Sequence, residues 1–125
     1  MNGIISKQSH HSVKESADRL EKVLTAKGIT IYARIDQQAE ARLAGLELSP
    51  LEFLLFGNPR AGIPIMSAVP LSALDLPLKA IAWQDKEGKV WLSYNEAVYL
   101  QQRYGLPEDV VKNIDIGPLI EQAAL

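Results

Sequence analysis

The hydrophobic pattern changes period at Gly28, and that switch constrains the fold more than any other feature of the chain. Before it, Val13, Ala17, Leu20, Val23 and Leu24 recur every three or four residues, which lines one side of an α-helix. After it, Ile29, Ile31, Ala33 and Ile35 alternate with Thr30, Tyr32, Arg34 and Asp36, as expected of a strand with one apolar face. The helix carries its own boundary signals. Ser12-Val13-Lys14-Glu15 reads as a capping box, with Ser12 accepting from the Glu15 amide and Glu15 reaching back. Glu15 with Arg19, and Asp18 with Lys22, stand four apart on the polar side. Lys27 suits the negative helix end and Gly28 the left-handed stop. Residues 3–9 read as a preceding strand, so the chain opens strand, helix, strand.

Asp36 is placed to cap a short helix over 37–44, closed by Gly45. Ser49-Pro50-Leu51-Glu52 resembles a helix start, yet the apolar run 51–56 between Pro50 and Gly57 reads as a central strand, partly buried on both faces. Gly62-Ile63-Pro64 opens a short helix to Ala68, and Pro70 and Pro77 bracket an irregular connection. Residues 78–84 and 89–95 read as a hairpin around Asp85-Lys86-Glu87-Gly88. That loop pairs 84 with 89 and 79 with 94, setting Lys79, Ile81 and Trp83 on one face with Val90, Leu92 and Tyr94. Asn95 caps a helix over 96–104 that stops at Gly105, and further helical turns begin at Pro107 and Pro118. One early crossover followed by a hairpin-rich stretch predicts an α+β fold: a β-α-β-β-β-β core, a mainly antiparallel sheet, and helices packed on one face. Residues 1–125 form a single domain in this reading.

Bulk properties narrow the function classes. The chain of 125 residues is 47% hydrophobic and 22% charged, with net charge −2. It has no basic block, which argues against nucleic acid as partner. It has no cysteine, so disulfides, thiolate nucleophiles and cysteine metal sites are excluded. No apolar run approaches the ~20 residues of a membrane span, and the first residues lack a signal-peptide pattern. The expectation is a cytoplasmic protein that engages neither membrane nor nucleic acid. His10 and His11 are adjacent, which suits opposite faces better than a shared metal, and no metal or cofactor is expected.

Three features could carry chemistry. The bend Phe56-Gly57-Asn58-Pro59-Arg60-Ala61-Gly62 offers backbone amides, the Arg60 guanidinium and the Asn58 amide to an anion, although Asn-Pro and Gly are also ordinary turn residues. Asp36 could act as a base, against its plainer role as a cap. Lys79 opposite Tyr94 could hold an anion or lower the phenol pKa, against an ordinary cross-strand contact. No Gly-x-Ser-x-Gly or complete triad is present.

The combination of Ile35-Asp36, Phe56-Gly57-Asn58-Pro59 with Gly62 and Pro64-Ile65-Met66, Leu74-Asp75-Leu76-Pro77-Leu78-Lys79, Trp83 and Gly88 resembles the prokaryotic family called domain of unknown function 302. The likeness runs from about Ile4 to Gly105. It implies a small cytoplasmic α+β domain, often dimeric, and no known activity. Members of that family commonly carry Asp-His after the second strand, where this chain has Asp36-Gln37. The resemblance promotes Asp36, Asn58 and Lys79 as site candidates, while Asp75 suits an Asx-turn.

The expected function is a dimeric, non-catalytic binding module for a small anionic ligand or protein partner, with Asp36, Asn58, Arg60, Lys79 and Tyr94 as candidate ligand contacts. The alternative is a small isomerase- or hydrolase-type enzyme: Asp36 as base, Asn58 and loop amides as oxyanion donors, Tyr94 or Lys79 as acid. That version needs these groups to converge in one pocket.

Overall fold

The computed structural model describes residues 2–125. The element order is β1 (Ile4–Ser9), α1 (Val13–Ala26), β2 (Thr30–Asp36), α2 (Gln37–Leu43), β3 (Leu51–Gly57), α3 (Pro59–Ala68), β4 (Leu78–Gln84), β5 (Val90–Asn95), α4 (Ala97–Tyr104) and α5 (Gly117–Ala124), with short 3-10 turns at Pro70–Leu74 and Glu108–Asn113. The strands form one sheet in the order β1-β5-β4-β3-β2, and every pairing is antiparallel. The α+β architecture expected from the sequence is therefore the observed one. β1 and β2 end up on opposite edges, so α1 carries the chain across the whole sheet.

The periodicity explains the packing. Val13, Ala17, Leu20 and Leu24 are buried along one side of α1 and rest on Leu54, Phe56, Ala80, Ala82 and Leu92 of the sheet. α5 completes this layer with Ile120, Ala123 and Ala124, and the Arg19 Nε donates to the Ala123 carbonyl at 2.8 Å. Each fully buried Leu, Ile or Phe here contributes about 1.5–3 kcal/mol by leaving water. A second cluster, built on Ile65, Leu76, Leu100, Leu106 and Ile114, closes one end of the sheet, and Leu78 touches both clusters.

Several local expectations are corrected. Ser12 accepts from the Glu15 amide at 3.1 Å, but the Glu15 carboxylate turns to His11 Nδ1 at 3.6 Å instead of closing the box. Asp18 pairs with Lys14 and Arg34, not Lys22. β3 is no exception to its expected form: it alternates buried and half-buried residues, a strand partly buried on both faces. α3 begins three residues early because Asn58 caps it and Pro59 opens it. Asn95 stays in β5, and the backbone amide of Glu96, the residue at the start of α4, donates to the Gly3 carbonyl at 2.8 Å.

The hairpin register also differs by one residue. Gln84 pairs with Val90, and Ala80, rather than Lys79, pairs with Tyr94. The cause is Asp85. Its carboxylate accepts from the Glu87 amide at 3.0 Å and the Lys89 amide at 2.9 Å, drawing Lys89 into the turn. Gly88 takes φ +84°, as such a turn requires. A one-residue slip reverses which face each side chain meets. Tyr94 thus points into the core with Leu92, while Lys79, Ile81 and Trp83 share the other face with Trp91 and Ser93.

Candidate functional site

The glycine-flanked bend is a helix entrance. The Asn58 side chain accepts from the Arg60 amide at 3.0 Å, and its carbonyl accepts from the Ala61 and Gly62 amides at 2.9 Å each. The donors expected to cradle an anion are thereby engaged within the first turn of α3. Arg60 lies exposed on that turn and makes no ion pair among the described residues. The bend borders an apolar cavity of about 260 Å³, and Asn58 alone of the five candidates lines it.

Asp36 accepts from the Ala39 amide at 2.9 Å and caps α2, its plainer role. It pairs with Glu52 across β2 and β3, whereas Lys79 pairs with Leu55 on the next strand. Three residues along the strands and two strand spacings separate the two groups by about 14 Å, on opposite faces of the sheet. The Lys79 Nζ lies 3.8 Å from Asp75 Oδ1 and faces away from Tyr94. The Tyr94 phenol is pushed upward, first by burial and then by the nearby Asp115 carboxylate, opposite to the lowered value a lysine neighbour would give. The acid–base constellation of the enzyme alternative therefore does not assemble in this geometry.

Two charged clusters were not foreseen. Arg34 projects from β2 between the sheet and α1. Its Nε meets Glu52 Oε1 at 2.7 Å, its Nη1 meets Asp18 Oδ1 at 2.7 Å, and Glu21 stands 3.6 Å away. Glu52 is only 8% exposed, and Arg34 gives it a hydrogen-bonded counter-charge there. Hydrogen bonding to Glu52 drives the Arg34 pKa upward, and Arg34 in turn holds the Asp18 carboxyl below its usual range. The second cluster centres on Asp75, whose Oδ2 accepts from Arg103 Nη1 at 2.8 Å and from the Tyr104 hydroxyl. This ties α4 to the entrance of β4. The first cluster escaped the sequence reading because a register shift between Ile31 and Ala33 puts Arg34, one of the polar residues of the expected strand, opposite Leu54 on the core-facing side, where a lone charge would be costly.

The sheet face opposite α1 is the feature that the slipped register hid. Leu51, Phe53 and Leu55 of β3 stand beside Ile81 and Trp83 of β4 and Trp91 of β5, and none of them belongs to either core cluster. Ile4 and Ile35 extend the apolar surface to both edges, 43% and 37% exposed. The polar atoms on it satisfy one another: Ser93 Oγ meets Ser6 Oγ at 2.6 Å and accepts from Trp83 Nε1 at 2.8 Å. The Trp91 indole donates to Asp85 Oδ2 at 2.9 Å, which holds the Asp85 carboxyl below its usual range.

A five-stranded antiparallel sheet with helices packed against it defines a small α+β domain. The chain belongs to the family described as domain of unknown function DUF302, whose model matches residues 5–116. A solved structure of an uncharacterized conserved DUF302 protein from Bacillus stearothermophilus shares the fold, with a TM-score of 0.80 at 18% identity, over 99% of this chain and 97% of that one. The chain is 40% identical over 111 residues to a protein of Brucella suis biovar 1 named fluoride-specific ion channel FluC 1, covering 87% of this chain and 44% of that protein. A Brucella abortus biovar 1 protein of the same name is matched equally well, over 41% of its length. The chain thus spans less than half of the curated relatives it matches. Among its described residues no helix is long and apolar enough to cross a membrane.

Proposed function

We propose that the protein is a non-catalytic binding module that works as a homodimer in the cytoplasm, with the uncovered sheet face as its contact surface. One observation carries this reading: a contiguous set of large apolar side chains, Phe53, Ile81, Trp83 and Trp91 foremost, lies outside both cores. These side chains are half-buried, with exposed Ile4 and Ile35 at the two edges, and such an apolar patch suits a contact site because covering its remaining area gains about 25 cal/mol per Å². A second copy fits the chemistry. Among the described residues the only charged strand residue on that face is Lys79, and Asp75 already partners it, so two faces meet without like-charge repulsion. In the Brucella relatives the homologous segment is under half of a chain named as a channel. A domain that pairs with its own copy would serve there as an assembly unit beside the remainder.

The small-anion version has less support, since Lys79 is engaged by Asp75 and the amides of the bend are spent on Asn58 within the first turn of α3. Light scattering over a concentration series tests the dimer. Twice the chain mass is expected for the wild type and the single mass for Ile81→Glu at the same concentrations. A wild type that stays monomeric up to several hundred micromolar removes the reading.

A further inference from the structure

We infer that the cavity beside the Gly57–Gly62 bend is a binding site for a small, uncharged, flat apolar molecule, with a neutral aromatic of the size of indole as its type. The site uses different residues from the proposed dimer face, so either can fail without the other.

Its size and walls set the ligand class. The cavity holds about 260 Å³. For comparison, a dry protein cavity of about 150 Å³ takes up benzene, so this one has room for a second small ring. Its walls are apolar: Met66, Leu76, Pro77, Leu78 and Ile114 form the interior, and the half-exposed Tyr32 ring stands at the mouth. No acidic or basic side chain lines it, Arg60 included, so a charged ligand would lose its hydration without gaining a counter-ion.

Two glycines shape one wall. A Cβ at Gly57 would stand 3.3 Å from Pro77 Cβ and 3.6 Å from the Tyr32 ring, closing the gap between them. A Cβ at Gly62 would meet only the Met66 Cε, at 3.7 Å. The backbone is therefore bare where a planar ligand would lie against it. The polar groups are few and sit at the rim. Asn58 spends its Oδ1 on the Arg60 amide, and no protein acceptor takes its Nδ2 hydrogens among the described residues. Asn113 is the other amide side chain that lines the cavity. An apolar pocket with a few convergent polar groups is the usual form of a small-molecule site.

Indole is the probe, titrated into the full chain to millimolar concentration and followed by two-dimensional NMR. Saturable shifts are expected at the Tyr32 ring, the Gly62 amide and the Met66 methyl, and inorganic phosphate should leave these signals in place. Gly62→Leu fills the space from a helical position without positive φ, so it should keep the melting temperature while weakening indole binding at least tenfold. Should that variant misfold, Ile63→Gln, at a rim residue 58% exposed, should keep the fold and weaken indole binding several-fold. Absence of shifts at millimolar indole overturns the inference. So do shifts confined to Phe53, Trp83 and Trp91, phosphate acting where indole does not, or variants that bind as well as the wild type.

Discussion

Arg34 shows how one side chain can hold two layers together. It joins β2 to the acidic side of α1 and neutralises Glu52, which is nearly buried. Removing one partner of such a pair strands the other charge, and the cost exceeds the worth of the pair itself. Arg34→Met should therefore lower stability by about 3 kcal/mol, measured by urea unfolding, and adding Glu52→Met should recover part of that loss. No recovery in the double variant would mean that Arg34 acts by packing alone. The carboxylates fix the direction of the pH dependence. Arg34 hydrogen bonding depresses Asp18, and the Trp91 indole N–H depresses Asp85. A carboxyl lowered in the native state binds fewer protons than in the unfolded chain, so stability rises with pH across that window. The contribution is complete above the unfolded value near about 4 and is lost as pH falls below it. Trp91 fluorescence should change along the same acid limb, and Asp85→Asn should remove the change. Single-residue roles were the least legible level in the sequence. Asp36 could be read as a cap from local spacing, whereas Asn58 was read as a turn residue and Arg34 needed the pairing partner of β2, which no local pattern supplies.

At the level of elements, equal capping chemistry has unequal consequences. Ser12 caps α1, which carries five buried residues, and Asp36 caps α2, which carries none. Ser12→Ala should cost about 1 kcal/mol of global stability, seen as a drop of a few degrees in melting temperature. Asp36→Ala removes a bond of similar quality, but α2 can fray without opening the core. Its effect should appear as faster hydrogen exchange in α2, with a melting shift below that of Ser12→Ala; equal shifts would show that α2 is coupled to the core. Elements were the most legible level, since helix and strand periods declare themselves within a dozen residues. The boundary errors came from side chains acting outside their own element. Asp85 gathered two turn amides and one indole, which lengthened the hairpin loop to include Lys89 and moved every face assignment of β4 against β5. Pro64 suggested a helix starting at Gly62, while Asn58 and Pro59 had already opened it. The candidate site suffered most from this, because Lys79 and Tyr94 were joined through the register that shifted.

For the whole molecule the question is whether one sheet face suffices for a dimer. Five strands at about 4.8 Å spacing and six to seven residues at about 3.4 Å rise give a face of roughly 500 Å². A stable interface buries about 800 Å² from each partner. The sheet alone falls short, so further surface has to contribute. The segment from α2 to the start of β3 is the best source. Leu43, Leu46 and Leu48 are 83%, 66% and 44% exposed, and neither core contains them. The Gln38 amide braces that segment by donating to the Leu48 carbonyl at 3.1 Å, which holds the leucines on a formed loop rather than a loose one. Replacing all three with serine removes apolar contact area without opening any core. In the proposed dimer the triple variant should raise the dissociation constant about tenfold, equivalent to about 1.4 kcal/mol, with the melting temperature of the dilute monomer unchanged. Sedimentation equilibrium reads the first quantity and calorimetry at low concentration the second. A dimer that weakens with Ile81→Glu but ignores the leucines would confine the interface to the sheet. Its affinity should then stay in the weak range that a face of this size permits, because too little water leaves the contact to hold two chains together at low concentration.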